Sequence, residues 1–159
     1  MTQTALNYSI KLLSQKDYSI FKLKKKLFLK DYESSEIEEV ISKLISLKYL
    51  NEFEYCRNLI VSLLKRSYEN SYIIQKLAQE EIIINDTDIN KYKEEIGYNT
   101  KSEVIKLIDF KLKNIKIPNS VEQKYKIKNR ISSFLSSKGF QFDDINEEIN
   151  KKLNYEDSY

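Results

Sequence analysis

The scarcity of turn-forming residues constrains the fold of this chain more than any other feature. Only two glycines and one proline occur among its 159 residues. Tight β-turns depend on these residues for positive φ angles and fixed bends, so a sheet of many short strands is disfavoured. The hydrophobic fraction of 41% is too large for a disordered chain. Long helices are therefore the expected structure.

Apolar residues recur at helical spacing along the first 50 positions. The clearest stripe follows an i, i+3, i+4, i+7, i+8 pattern and consists of Ile37, Val40, Ile41, Leu44 and Ile45. Ser35 and Glu38 form a capping-box pattern that predicts the start of this helix. A second stripe predicts a helix from Ser19 to about Lys30 and consists of Ile20, Leu23, Leu27 and Phe28. An earlier stripe, marked by Leu6, Ile10 and Leu13, predicts a first helix.

The same apolar pattern then recurs twice. Each copy has two apolar residues four positions apart and a third apolar residue five positions later, with a short turn just before the third. The three copies are Leu23, Leu27 and Tyr32, then Ile73, Leu77 and Ile82, then Ile131, Leu135 and Phe140. The turns fall at residues 31, 81 and 139, and extra length before the third copy is assigned to a loop at Pro118. We therefore predict three helical repeats at residues 1–50, 51–100 and 101–159.

Composition excludes several kinds of chemistry. The chain has no histidine and a single cysteine, so histidine metal sites, Ser-His-Asp triads and thiolate zinc clusters cannot form. Cys56 lies among apolar residues and is interpreted as a small buried hydrophobe rather than a nucleophile. No glycine-rich phosphate loop is present. We expect neither an enzyme nor a bound cofactor or metal. A lone cysteine without a disulfide partner fits a reducing, cytoplasmic compartment, and the absence of a long apolar run predicts no membrane span.

Charge alternates along the chain. Residues 11–30 carry seven lysines and one aspartate, whereas residues 31–54 carry seven acidic and two basic groups. Residues 101–138 carry ten basic and three acidic groups, and residues 139–157 are net negative. One interpretation is that these segments are solvated helix faces held by weak ion pairs. The other is that the basic segments bind a polyanion or an acidic protein surface.

Three stretches resemble the RecX family, the bacterial modulators of the RecA recombinase. The first runs from Ser19 to Leu23 and on through Lys26-Leu27 to Asp31-Tyr32, the second from Lys48 to Cys56, and the third from Phe134 to Phe140, followed by Asp143 and Ile145. The chain departs from the family pattern where Lys22 replaces a glutamate and where Asp31 and Glu81 replace glycines. These changes affect the expected helix ends, most of all in the second repeat, which matches the family pattern least.

The resemblance implies an all-α fold of three tandem three-helix repeats forming an elongated, curved helical solenoid. It also implies a regulatory protein that binds RecA filaments on single-stranded DNA as a monomer. Such a protein modulates, in most cases by inhibition, the ATPase, strand-exchange and coprotease activities of RecA in recombination and the SOS response. The alternative is a basic, all-helical nucleic-acid-binding protein unrelated to RecA. Under the RecX resemblance, single-stranded DNA is also an expected partner, but a weaker one than the RecA filament.

Basic side chains on the outer helix faces are the candidate partner-binding residues. The periodicity turns these positions away from the apolar stripes of their helices. The candidates are Lys22, Lys25, Lys26, Arg57, Lys65, Arg66, Lys126 and Arg130.

Overall fold

The computed structural model describes residues 4–154, and all the regular secondary structure within this range is α-helical. The helices, in chain order, are α1 (Ala5–Leu13), α2 (Ile20–Phe28), α3 (Ser34–Ser46), α4 (Glu52–Lys65), α5 (Asn70–Ala78), α6 (Asp86–Glu95), α7 (Thr100–Leu112), α8 (Val121–Ser137) and α9 (Phe142–Leu153). The predicted all-α class is confirmed.

The chain divides into two compact units. The first contains the chain up to Ile60 together with Leu77–Ile83, and the second contains Val61–Lys76 together with the chain from Ile84 onward. These units are defined by which residues are in contact in space, and not by the sequence repeat. The repeat boundaries at residues 50 and 100 stay a prediction.

Helices α1, α2 and α3 pack around a hydrophobic core in the first unit. Ser19 caps α2, because its side chain accepts a hydrogen bond from the backbone N–H of Lys22 at 3.2 Å. The apolar stripe of α2 then buries Leu23 and Leu27 completely. These two leucines meet the buried stripe of α3, which consists of Ile37, Val40, Ile41 and Leu44.

The predicted start of α3 is wrong. The helix begins at Ser34 with Glu33 in the N-cap position, and Glu33 makes no side-chain capping bond. Glu38, the expected partner of Ser35, instead accepts two hydrogen bonds from the ammonium of Lys24 on α2, at 2.6 and 2.9 Å. The carboxylate of Glu38 is thus bound to a neighbouring helix in a charge-assisted pair and not to the backbone at the start of α3.

Helices α7, α8 and α9 form the corresponding core of the second unit. Its fully buried members include Val104 and Ile108 from α7, Leu135 from α8 and Ile145 and Ile149 from α9. The loop predicted at Pro118 separates α7 from α8, which is 17 residues long and exceeds α2 and α5 by slightly more than two turns. The extra length predicted before the third copy is therefore shared between this loop and α8.

The three predicted turns have one conformation. Asp31, Glu81 and Gly139 all adopt left-handed φ angles of 61°, 60° and 94°. The next residue in each case donates its backbone N–H to the leucine carbonyl five positions earlier: Tyr32 to Leu27, Ile82 to Leu77 and Phe140 to Leu135. This is the hydrogen-bond pattern of a helix end closed by a left-handed residue. The three apolar columns read from the sequence thus occupy equivalent backbone positions.

Candidate partner-binding surface

The eight candidate cations are spread over both compact units. Lys22, Lys25 and Lys26 lie on α2 and Arg57 lies on α4, all in the first unit. The second unit contains Lys65 at the end of α4, Arg66 directly after it, and Lys126 and Arg130 on α8. Lys22 and Arg57 are half-buried, whereas the other six are exposed.

Lys22 is engaged within the protein. Its ammonium lies 2.5 Å from Oε1 of Glu80 and donates a hydrogen bond to the hydroxyl of Tyr55 at 2.9 Å. The Tyr55 hydroxyl in turn donates to the other carboxylate oxygen of Glu80 at 2.8 Å. Glu80 is only 4% exposed, so the ion pair compensates a buried carboxylate. We expect Lys22 to contribute least to partner binding among the candidates.

The pKa values agree with this network. Burial acts to raise the pKa of Glu80, but the hydrogen bonds from Lys22, Tyr55 and Ser19 outweigh it and hold that pKa below its usual value. Burial also acts to lower the pKa of Lys22, and its contacts with Glu80 and Tyr55 raise it overall. Both groups are therefore charged at neutral pH. The network holds α2 to α4 and to the turn that follows α5.

A groove of about 400 Å³ lies beside α2 in the first unit. It is lined by Phe21, Lys24, Lys25, Phe28, Ser34, Ile37, Glu38 and Glu81. Phe28 is 66% exposed, and Leu29 beside it in the chain is equally open. The groove thus combines an apolar wall with a cationic edge. Such contiguous exposed apolar surface is typical of a protein-binding site.

Lys25 and Lys26 are the candidates best placed for binding in the first unit. Both are exposed in the last turn of α2, and Lys25 lines the groove. Within residues 4–154 neither forms an ion pair with an acidic side chain, in contrast to Lys24 with its bonds to Glu38. Their charges are therefore available to an external partner.

The candidates on the second unit differ in their surroundings. Lys126 is paired with Glu122 at 2.6 Å, one turn earlier on α8, in an exposed contact of small energetic value. Arg130 lines a cleft of about 70 Å³ together with Phe134 and Lys111. The guanidinium of Arg66 lies 5.5 Å from the ring centroid of Tyr68. Among the candidates of the second unit, Arg66 and Arg130 are the ones associated with aromatic surface in the described part of the chain.

Sequence reasoning missed two parts of these surfaces. The prediction that placed Phe28 in the apolar stripe of α2 with Leu23 and Leu27 is wrong for its burial, because Phe28 is 66% exposed and, like Leu29, lies off the buried face of the helix. Lys111 had no comparable signal, because its position against Phe134 depends on the packing of α7 on α8. Cys56 was predicted to be a small buried hydrophobe, but it is only half-buried on α4.

Within residues 4–154, no group of three or more cysteine, aspartate or glutamate side chains is arranged to hold a metal ion. None of the helices described there combines the length and apolar character needed to cross a bilayer.

The fold and these surfaces define a helical-repeat protein with exposed cationic and apolar surfaces. A family model described as the first three-helix domain of RecX matches residues 5–44, the segment that forms α1 to α3. The regulatory protein RecX of Haemophilus influenzae strain PittEE is 29% identical over 147 residues, which cover 91% of this chain and 92% of that protein.

Two more comparisons extend this result. The regulatory protein RecX of Clostridium tetani is 32% identical over 134 residues, which cover 80% of this chain and 57% of that longer protein. The crystal structure of RecX from Lactobacillus salivarius matches the fold with a TM-score of 0.69 at 21% identity, over 94% of both chains. The chain is thus similar to RecX proteins over nine-tenths of its length, and its fold matches that of a RecX crystal structure.

Proposed function

We propose that this protein binds RecA filaments on single-stranded DNA and modulates RecA, most often as an inhibitor of its ATPase, strand-exchange and coprotease activities. The proposal expects a monomer that acts in the cytoplasm during recombination and the SOS response. Its main support is the similarity to proteins named regulatory protein RecX over nine-tenths of the chain.

The groove beside α2 supports contact with a protein partner. Phe21, Phe28 and Ile37 supply apolar surface, and an apolar wall gains little from a phosphate backbone. Lys25 and Lys26 supply positive charge that no acidic side chain of the described chain neutralises. A partner that presents an acidic residue beside an apolar one fits both features. This combination favours a protein surface over naked nucleic acid as the occupant of the groove.

Substitution of Phe28 tests the groove directly. Phe28→Ala is expected to weaken co-sedimentation with RecA filaments by roughly tenfold, because an apolar anchor at an interface typically contributes more than 1 kcal/mol. Phe53→Ala is the matched control, since Phe53 belongs to the same unit and is also 66% exposed. Both variants should retain the helicity of the original protein, because neither ring is buried. Equal losses for the two variants would show that the groove is not the contact.

Charge reversal tests the cationic edge. Lys25→Glu with Lys26→Glu is expected to weaken filament binding, and Lys11→Glu with Lys43→Glu is the control. All four lysines are exposed and lie in the last turn of a helix, so both pairs change the net charge and the helix-dipole interaction equally. Filament binding that falls equally for both pairs would indicate a general charge effect.

Salt dependence separates this function from the alternative of a nucleic-acid-binding protein unrelated to RecA. Binding to naked single-stranded DNA should fall steeply between about 50 and 200 mM salt, because it depends on counterion release. Binding to the RecA filament should fall less, because apolar contacts are insensitive to screening. RecA ATP hydrolysis should also slow at substoichiometric protein. Unchanged hydrolysis, with equal competition by naked DNA at high salt, would reject the proposal.

A further inference from the structure

A cluster of cations and aromatic rings occurs in the second unit. The ammonium of Lys138 lies 4.0 Å from the ring centroid of Tyr68, and the guanidinium of Arg66 lies 5.5 Å from the same centroid. Lys138 also lies 5.8 Å from the centroid of Phe134, whose ring is 3.9 Å from the ammonium of Lys111. Two rings thus hold three cations from separate segments of the chain close together.

A fourth cation lies beside this cluster. Arg130 lines the small cleft that Lys111 and Phe134 also line. We refer to Arg66, Lys111, Arg130 and Lys138, with Tyr68 and Phe134, as the cationic cluster.

The positive charge of the cationic cluster is not balanced by the described part of the chain. Between residues 4 and 154, none of its four cations forms an ion pair with a carboxylate. The carboxylate of Glu103 is nearby but accepts hydrogen bonds from Ser67 at 2.5 Å and from Lys106 at 3.1 Å. The ammonium of Lys138 donates to the backbone carbonyl of Arg66 at 2.9 Å, and the Arg66 guanidinium contacts the same Tyr68 ring as this ammonium, so two positive groups lie close together. An external anion would relieve this repulsion.

The pKa of Lys138 reflects the same crowding. Burial lowers it, and the charges of Arg66 and Lys111 lower it further, while Glu103 offsets part of the effect. Like charges held together in a partly desolvated position increase the attraction for a bound anion.

The aromatic rings of the cationic cluster have little free face for stacking. Tyr68 is stacked on Tyr72 with ring centroids 4.2 Å apart, and its ring also makes cation–π contacts with Lys138 and Arg66. The ring of Phe134 makes cation–π contacts with Lys111 and Lys138. Binding of nucleobases by single-strand-binding proteins requires open aromatic faces. The rings therefore position cations, and the chemistry they present is positive charge.

We propose that the cationic cluster binds the phosphate backbone of single-stranded nucleic acid without reading its bases. Four cations contributed by three separate segments suit a chain that carries one negative charge per nucleotide. An acidic protein segment is the less suitable occupant, because the apolar faces it would use are covered by ammonium and guanidinium groups. This site is distinct from the groove beside α2 and does not require RecA.

The first test uses the unmodified protein and two labelled oligonucleotides of equal length, oligo(dT) and an abasic strand with the same phosphate spacing. Fluorescence anisotropy should give affinities that agree within about threefold, because base stacking, worth about 1–3 kcal/mol per base elsewhere, is absent. An abasic strand that binds more than tenfold weaker would show that bases carry the interaction and would overturn the proposal.

The second test locates the site by comparing two pairs of substitutions. Lys111→Gln with Lys138→Gln should weaken oligo(dT) binding by about tenfold at low salt and reduce the slope of log K against log salt by about 1.4, since each phosphate contact contributes about 0.7. Lys113→Gln with Lys116→Gln removes the same charge from exposed neighbours and should leave the slope nearly unchanged. Equal effects of the two pairs would overturn the assignment. Because RecA is absent from both tests, their failure would leave the proposed filament binding untouched.

Discussion

Replacement of Gly139 by alanine is the most demanding test of the repeat geometry. Gly139 closes α8 with a φ angle of 94° and lies directly against the start of α5. An alanine Cβ would come within 2.8 Å of both Ser71 Oγ and the backbone nitrogen of Tyr72. The serine side chain can rotate away, but the nitrogen belongs to the helix backbone. The turn itself must therefore move.

The expected cost of Gly139→Ala has three parts. A left-handed conformation costs a residue with a Cβ about 1 kcal/mol. Displacing a packed turn costs about 1–3 kcal/mol. The movement also weakens two hydrogen bonds of 2.8 Å, from the backbone N–H of Glu69 to the Lys138 carbonyl and from the Ser71 hydroxyl to the Gly139 carbonyl. Because these effects overlap, we expect a loss of roughly 2–4 kcal/mol in the free energy of unfolding.

Gly97 provides a matched control in the same unit. Its φ angle is 66°, and a Cβ built there would meet no atom within 4 Å. Gly97→Ala should therefore cost only the conformational term of about 1 kcal/mol. Urea unfolding of the full chain, followed by circular dichroism, measures both variants. If Gly139→Ala costs no more than Gly97→Ala, the close approach of this turn to α5 is refuted.

Two further predictions concern buried positions. Leu27→Ala and Leu135→Ala remove side chains that are fully buried at equivalent repeat positions, so each should cost about 2–5 kcal/mol in urea unfolding; losses below about 0.5 kcal/mol at both would contradict the repeat alignment. The depressed pKa of Glu80 means that its ion pair stabilises the fold above the ordinary carboxyl pKa and loses this effect as the pH falls through the lower folded value. Lys22→Met should therefore cost about 1–2 kcal/mol at pH 7, discounted for the 44% exposure of Lys22, and clearly less near pH 3. A penalty that is independent of pH would show that the lysine acts through packing alone.

Local sequence determined the helices and several of their ends, although not the start of α3. The stripe that includes Leu23 and Leu27 has helical period, and Ser19 is a residue type that caps helices, so α2 follows from contacts within a few positions of the chain. The turn at Gly139 and the loop at Pro118 are also local effects, because these residues have restricted or unusual backbone preferences. Repetition of one apolar pattern was enough to identify three equivalent turns, although two of them lack glycine.

Tertiary structure decided which polar and apolar groups are available for function. The sequence presents Lys22, Lys25 and Lys26 as equivalent cations, but only Lys22 meets the buried carboxylate of Glu80, which lies 58 positions away in the chain. The capping pattern of Ser35 failed for the same reason, because its partner glutamate binds a lysine of another helix. Hydrophobic periodicity records which face of a helix is buried, whereas the partner of each charged group depends on distant segments that packing brings together. For that reason the fold could be read from the sequence, and the choice among its binding residues required the structure.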